Sequence, residues 1–160
     1  MSRVIPLGRE RFADVVEVLS DAFRDYPVMR YILADAGDDY ETRLAALVGY
    51  FTESRFARRY PVLGIEGQGR LVAAANINPP RSVPAPPELK TCYETFGETI
   101  GPQAITRFRA FADACEPLEP DEPHYYLGMI GVARGAQGKG HARVLLDALH
   151  EMSDRDEEST

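Results

Sequence analysis

Residues 124 to 152 read HYYLGMIGVARGAQGKGHARVLLDALHEM, and the middle of that stretch carries Gly131, Gly135, Gly138 and Gly140. Glycine recurs where a chain must turn through conformations closed to other residues, or where another group must approach the backbone closely. The run before the glycines is apolar, with Tyr126, Gly128, Ile130 and Val132 expected on one face by two-residue alternation, and predicts a buried strand. The run after them sets Leu145, Ala148, Leu149 and Met152 at helical spacing, which predicts an amphipathic helix whose apolar stripe is core. A strand that feeds a glycine-rich turn and then a helix leaves free N–H groups and the positive end of the helix dipole together, which suits an anion.

Spacing separates the anion motifs that could explain the loop. A nucleotide P-loop, GxxxxGK[ST], would need glycine where Ala133 stands and a hydroxyl where Gly140 stands. A dinucleotide GxGxxG begun at Gly138 meets Arg143 in place of its third glycine. The pattern that fits is [QR]-x-x-G-x-[GA], as QGKGHA from Gln137 to Ala142.

The rest of the chain supplies the frame. RVIPL predicts a first strand. Phe12, Val15, Val16, Leu19, Ala22 and Phe23 form one helical stripe, and Leu44, Leu47, Val48 and Phe51 form another. Pro27 interrupts between them, so an aromatic elbow is expected there. Two apolar runs around GQGR predict an antiparallel hairpin. From Pro79 to Pro123 proline-rich borders enclose two further stripes, Leu89, Tyr93 and Phe96, then Ile105, Phe108 and Phe111, split by Gly101–Pro102; this segment reads as a helical insertion within one domain spanning residues 1 to 160.

Composition narrows the function classes. A chain of 160 residues is one domain by size, able to bury roughly two thirds of its unfolded surface. A net charge of -7 argues against general affinity for nucleic acid, and DRDEE at 154 to 158 reads as a solvated helix end. No apolar run approaches the ~18 residues of a membrane span, and MSRVIPLGRERF has no secretory h-region, so a cytoplasmic location is expected, with neither membrane nor nucleic-acid partners. Cys92 and Cys115 form no cluster with His124, His141 or His150; they are read as free thiols, and no metal site is expected.

The order strand, two helices, hairpin, strand, glycine loop, helix, together with IGVARGAQGKGHARVLLDAL, resembles the GNAT superfamily of acetyl-CoA-dependent N-acetyltransferases. The insertion and the Tyr-rich fourth strand look most similar to the puromycin-acetyltransferase branch. Arg134 departs from the family, which often has proline there. The resemblance implies an α/β (α+β) fold, a mixed, mainly antiparallel sheet flanked by helices. It also implies direct transfer of acetyl from the thioester of acetyl-CoA to a primary amine of a small molecule. The CoA would be held by Ile130, Gly131, Val132, Gln137, Gly138, Lys139, Gly140, His141, Ala142 and Arg143, with the Ile130 amide also serving as oxyanion donor. The acceptor pocket would come from the elbow residues Asp25, Tyr26, Met29 and Tyr31, where Asp25 either holds an ammonium or is a solvated turn residue.

Two departures qualify the chemistry. Family members often carry a base four residues before the strand's last valine, and Gly128 stands there; Tyr126 is the nearest side chain able to act, or else lines the cleft while water relays the proton. The family continues past the glycine-loop helix with a fifth strand, a helix bearing a Tyr acid and a hairpin, whereas this sequence stops at Thr160. Either the sequence is a fragment truncated at its C-terminus or a partner chain supplies the missing strands; an exposed sheet edge is expected, and association of copies through it. The competing reading is a CoA-binding or interaction module without activity; a nucleotide-binding protein is a more distant one.

Overall fold

The hairpin turn shows how local chemistry sets the frame. Gln68 and Gly69 lie in the left-handed region, with φ of 53° and 75°, which matches the twist of a two-residue hairpin and turns β2 (Val62–Gly67) back as β3 (Arg70–Asn78). In the computed structural model, which describes residues 2 to 156, these strands are the middle of a four-stranded antiparallel sheet in the order β1-β2-β3-β4. The outer members are β1 (Val4–Pro6) and β4 (Tyr126–Val132). The last two residues of the DRDEE run lie outside the described residues.

Helices cover both faces. On one side lie α1 (Phe12–Phe23), α2 (Pro27–Ile32), α3 (Tyr40–Ala57), α4 (Glu88–Ile100) and α5 (Pro102–Cys115). On the other lies α6 (His141–Arg155). The larger core joins Val15, Leu19, Leu44, Leu47 and Val48 to Ala74 and Met129, and it includes Phe96, Ile100 and Ala104 of the proline-bordered segment. That segment is therefore built into the main core. The smaller core seats Leu145 and Leu149 on Ile65, Ala73, Ala75 and Ile77.

The expected elbow is a helix. Pro27 occupies the first helical position of α2, where its missing N–H costs nothing and its fixed φ is already helical. Arginines fasten the helix ends: Arg107 donates to the Ile32 carbonyl at 2.9 Å and Arg43 to that of Ile100 at 2.8 Å, satisfying carbonyls a helix leaves without partners. Both cysteines are free, and no helix among the described residues is long and apolar enough to cross a membrane.

Strand β4 corrects the expected alternation. Asn76 pairs with Met129 and Ile77 with Leu127, so Gly128 is an extra residue, a β-bulge, on β4. A bulge breaks the two-residue period, and the side chains exchange faces across it. Tyr126, Gly128, Met129 and Gly131 look toward α1 and α3, while Leu127, Ile130 and Val132 pack on the α6 side. Tyr126 and Gly128 thus do not share a face with Ile130 and Val132.

Candidate functional site

The glycine loop takes its shape from two left-handed residues. Gly138 and Gly140 have φ of 78° and 83°, a conformation that costs an L side chain roughly 1–2 kcal/mol, and a Cβ on either would point into open space. Gly140 is the N-cap of α6 and no side chain caps the helix. Val144 N–H, bonded to the Gly140 carbonyl at 3.2 Å, closes the first turn, and the N–H groups ahead of it emerge at the helix end.

Those groups border a cleft of about 570 Å³ lined by Ile130, Gly131 and Val132 of β4, Ala22, Phe23 and Tyr26 at the end of α1, and the loop from Ala136 to Ala142 apart from Lys139. Two contacts hold the cleft in shape. Gly131 lets α1 rest on the strand backbone, since a Cβ there would stand 2.7 Å from Ala22 Cβ. Arg134 pins the loop to α1, its N–H donating to Asp21 at 2.7 Å and its guanidinium to Asp25 at 2.6 Å. Gln137 turns back on the strand, donating to the Val132 carbonyl at 3.1 Å, and His141 Nδ1 meets Ser2 Oγ at 3.1 Å.

A larger cleft of about 700 Å³ lies between α1 and the hairpin, lined by Asp14, Glu17 and Asp21 as well as Arg11 and Lys139. Arg11 is committed to Asp14 and Glu66, both at 2.7 Å. Three carboxylates there face three cations, Arg11, Arg70 and Lys139, so the charges of that cleft balance, and the N–H groups on the other side of the loop offer an anion a site lined by no carboxylate. Lys139, expected at the CoA loop, lines this larger cleft; Arg143 is exposed in the first turn of α6.

The elbow residues are dispersed. Tyr26 lines the smaller cleft and packs edge-to-face on Phe23, with ring centroids 5.2 Å apart. Met29 is buried in the core and Tyr31 is exposed. Asp25 spends one oxygen on Arg30 at 2.7 Å and the other on Arg134; these guanidinium partners, Arg30 foremost, hold its carboxyl below the usual range.

Behind β4 lies a polar group that the sequence reading passed over. Arg55 of α3 is only 8% exposed, and a Cβ at Gly128 would stand 2.3 Å from its Nη2 and 3.1 Å from its Cζ. Gly128 is empty of side chain because a guanidinium occupies the space beneath it. Arg55 sits seven residues after Val48 and four after Phe51, so helical spacing alone placed it on the buried stripe. Thr52 and Asn76 share this pocket, joined by a hydrogen bond of 3.2 Å from Asn76 Nδ2 to Thr52 Oγ1. Burial pushes the Arg55 pKa down, yet a guanidinium stays charged.

The comparisons with known proteins agree with this architecture. No protein-family model matches the sequence, and no curated protein matches it. Among solved structures, a Corynebacterium glutamicum protein described as histone acetyltransferase HPA2 and related acetyltransferase superposes with a TM-score of 0.65 at 22% identity, over 95% of this chain and 71% of that one. A Brucella melitensis GNAT family acetyltransferase in complex with acetyl-CoA gives a TM-score of 0.53 at 12% identity, over 97% and 70%. A mosquito arylalkylamine N-acetyltransferase like 5b gives 0.50 at 14%, over 97% and 72%. The chain has the GNAT acetyltransferase fold.

Proposed function

We propose that the protein is an acetyl-CoA-dependent N-acetyltransferase acting on an amine of a small molecule. The observation that carries this reading is the uncapped N-terminus of α6, formed by two left-handed glycines and opening on a cleft beside β4. Acetyl-CoA, when bound, supplies an activated acetyl thioester. Its pyrophosphate fits the N–H groups from Gly138 to Ala142, where backbone donors and helix dipole act together. The backbone of Ile130, Gly131 and Val132 lines the path from that loop along β4, and Phe23 and Tyr26 exclude water from its opposite wall. Tyr126, 40% exposed on the other side of the bulge, lines the approach of the amine, and a water chain removes the ammonium proton.

A CoA-binding module without turnover is the second reading, favoured by Gly128 and Tyr126, which put no carboxylate on the acceptor side of β4. Two measurements separate them. Acetyl-CoA raises Tm, because a ligand that binds the folded form stabilises it by mass action, and Gly140→Asp abolishes that rise. Aspartate is among the few side chains that visit the left-handed region, so the variant keeps its fold while bringing negative charge to the cradle. An undiminished rise in the variant refutes the cradle. Thiol release from acetyl-CoA with an amine panel then distinguishes transferase from binding module.

A further inference from the structure

Arg55 is charged, nine-tenths buried and, among the described residues, without an ionic partner. Among those residues its hydrogen bond runs from Nη1 to the Phe51 carbonyl of its own helix at 3.1 Å, and Nε has no partner. A guanidinium carries five N–H donors in a planar fork, so most of that capacity is unused. The groups that act on it electrostatically are Tyr50, Arg58 and Tyr60, on its own helix and the turn after it, and Tyr126 of β4. No carboxylate is among them. Two carboxamide oxygens nearby, Asn76 Oδ1 and Asn78 Oδ1, are likewise buried and unpartnered, and Asn78 pairs directly with Tyr126 across the sheet. A buried charge left without a partner is strongly unfavourable, so a ligand that brings a counter-charge to it gains by relieving that cost.

We propose that Arg55 is an anion subsite of the acceptor pocket, and that the amine substrate carries a carboxylate a few bonds from its nitrogen: an amino acid or close relative. This rests on the transferase reading above. Gly128 leaves the guanidinium uncovered by any side chain from the strand. Ile130, beside which the acetyl carbon is placed, lies two residues further along, roughly 6–7 Å at the usual rise of a strand. A carboxylate hydrogen-bonded to Arg55 sets an amine a few bonds away within reach of that point. One cationic donor fork complements a carboxylate; a polyamine would meet a cation where it needs an anion.

The test compares matched acceptors on the intact protein: glycine with methylamine, β-alanine with ethylamine, phenylalanine with phenethylamine, and the remaining common amino acids. In at least one pair the acid is acetylated with kcat/KM about 10- to 100-fold above its decarboxylated partner, the range a charge-assisted hydrogen bond provides, and its methyl ester falls to the level of the plain amine. Arg55→Met lowers kcat/KM for the acid more than for its decarboxylated partner, so that the ratio within the pair collapses toward one. In the substrate-free state this variant melts no lower than wild type, because an unpaired buried charge has been replaced by apolar volume. Should Arg55→Met fail to fold, wild-type melting with CoA and each acceptor decides: the acids raise Tm and the plain amines do not. Amines acetylated in preference to acids overturn the subsite and leave the transferase standing. Acids that raise Tm without being acetylated keep the subsite and refute the transferase. No shift with any acid, or a loss in Arg55→Met equal for both members of a pair, overturns the proposal.

Discussion

Gly131→Ala tests how tightly α1 is seated on the strand. The new Cβ would lie 2.7 Å from Ala22 Cβ and 3.0 Å from Leu19 Cδ2. The leucine tip can swing away, but Ala22 Cβ is fixed to the helix backbone, so α1 itself must move. Overpacking of this kind costs about 1–3 kcal/mol, and for a domain of this size that lowers Tm by roughly 2–12 °C. Ala22→Gly opens the same space at its own cost of about 1 kcal/mol in helix propensity. If the steric account is correct, the two do not add. The double variant should be more stable than the sum of the single effects predicts by about 1–2 kcal/mol, the coupling expected of residues in contact. Urea denaturation of all four proteins measures it. Additivity within about 0.5 kcal/mol refutes the reasoning, because it would mean that the strand and not the helix absorbs the methyl group.

Two further outcomes follow from the site. Tyr126→Phe keeps turnover within about tenfold if water relays the proton, since a good general base contributes about 10²-fold or more; a 10³-fold loss with CoA binding intact would make the phenol catalytic. Asp25, whose folded carboxyl is held below its usual range, contributes stability above the unfolded value and loses it as pH falls through the folded one, so the Tm advantage of wild type over Asp25→Asn at neutral pH closes in acid. A gap that stays constant on acidification would show that the arginine pairing adds nothing.

Much of the frame was legible because it rests on local rules. The stripes of α1, α3 and α6 follow helical spacing, and the QG turn carries the chemistry of a two-residue hairpin. The glycine loop was legible for the same reason, since two left-handed residues before a helix can only be glycines at little cost. Pattern failed where a tertiary choice intervened. Six residues are too few for α2 to show periodicity, and its proline reads as a breaker though it starts the helix. The face of Ile130 was misread because nothing in HYYLGMIGV marks which residue is extra in the ladder. Arg55 carries no local mark of burial, since arginine is ordinarily exposed, and only its place on the stripe with Val48 and Phe51 points inward.

The extra residue in β4 has an effect on any attempt to shorten or graft this strand. Tyr125 and Tyr126, neighbours in sequence, point to opposite sides by ordinary strand alternation, the first into the core under α6, the second toward α3 and Arg55. Deleting Gly128 would restore an unbroken ladder and leave both rings on the sides they now occupy, because Met129 already stands opposite Asn76 and Leu127 opposite Ile77. The glycine therefore governs local bend and not register. A single-codon deletion here would straighten the strand over Arg55 while keeping every other side chain of β4 on its own face.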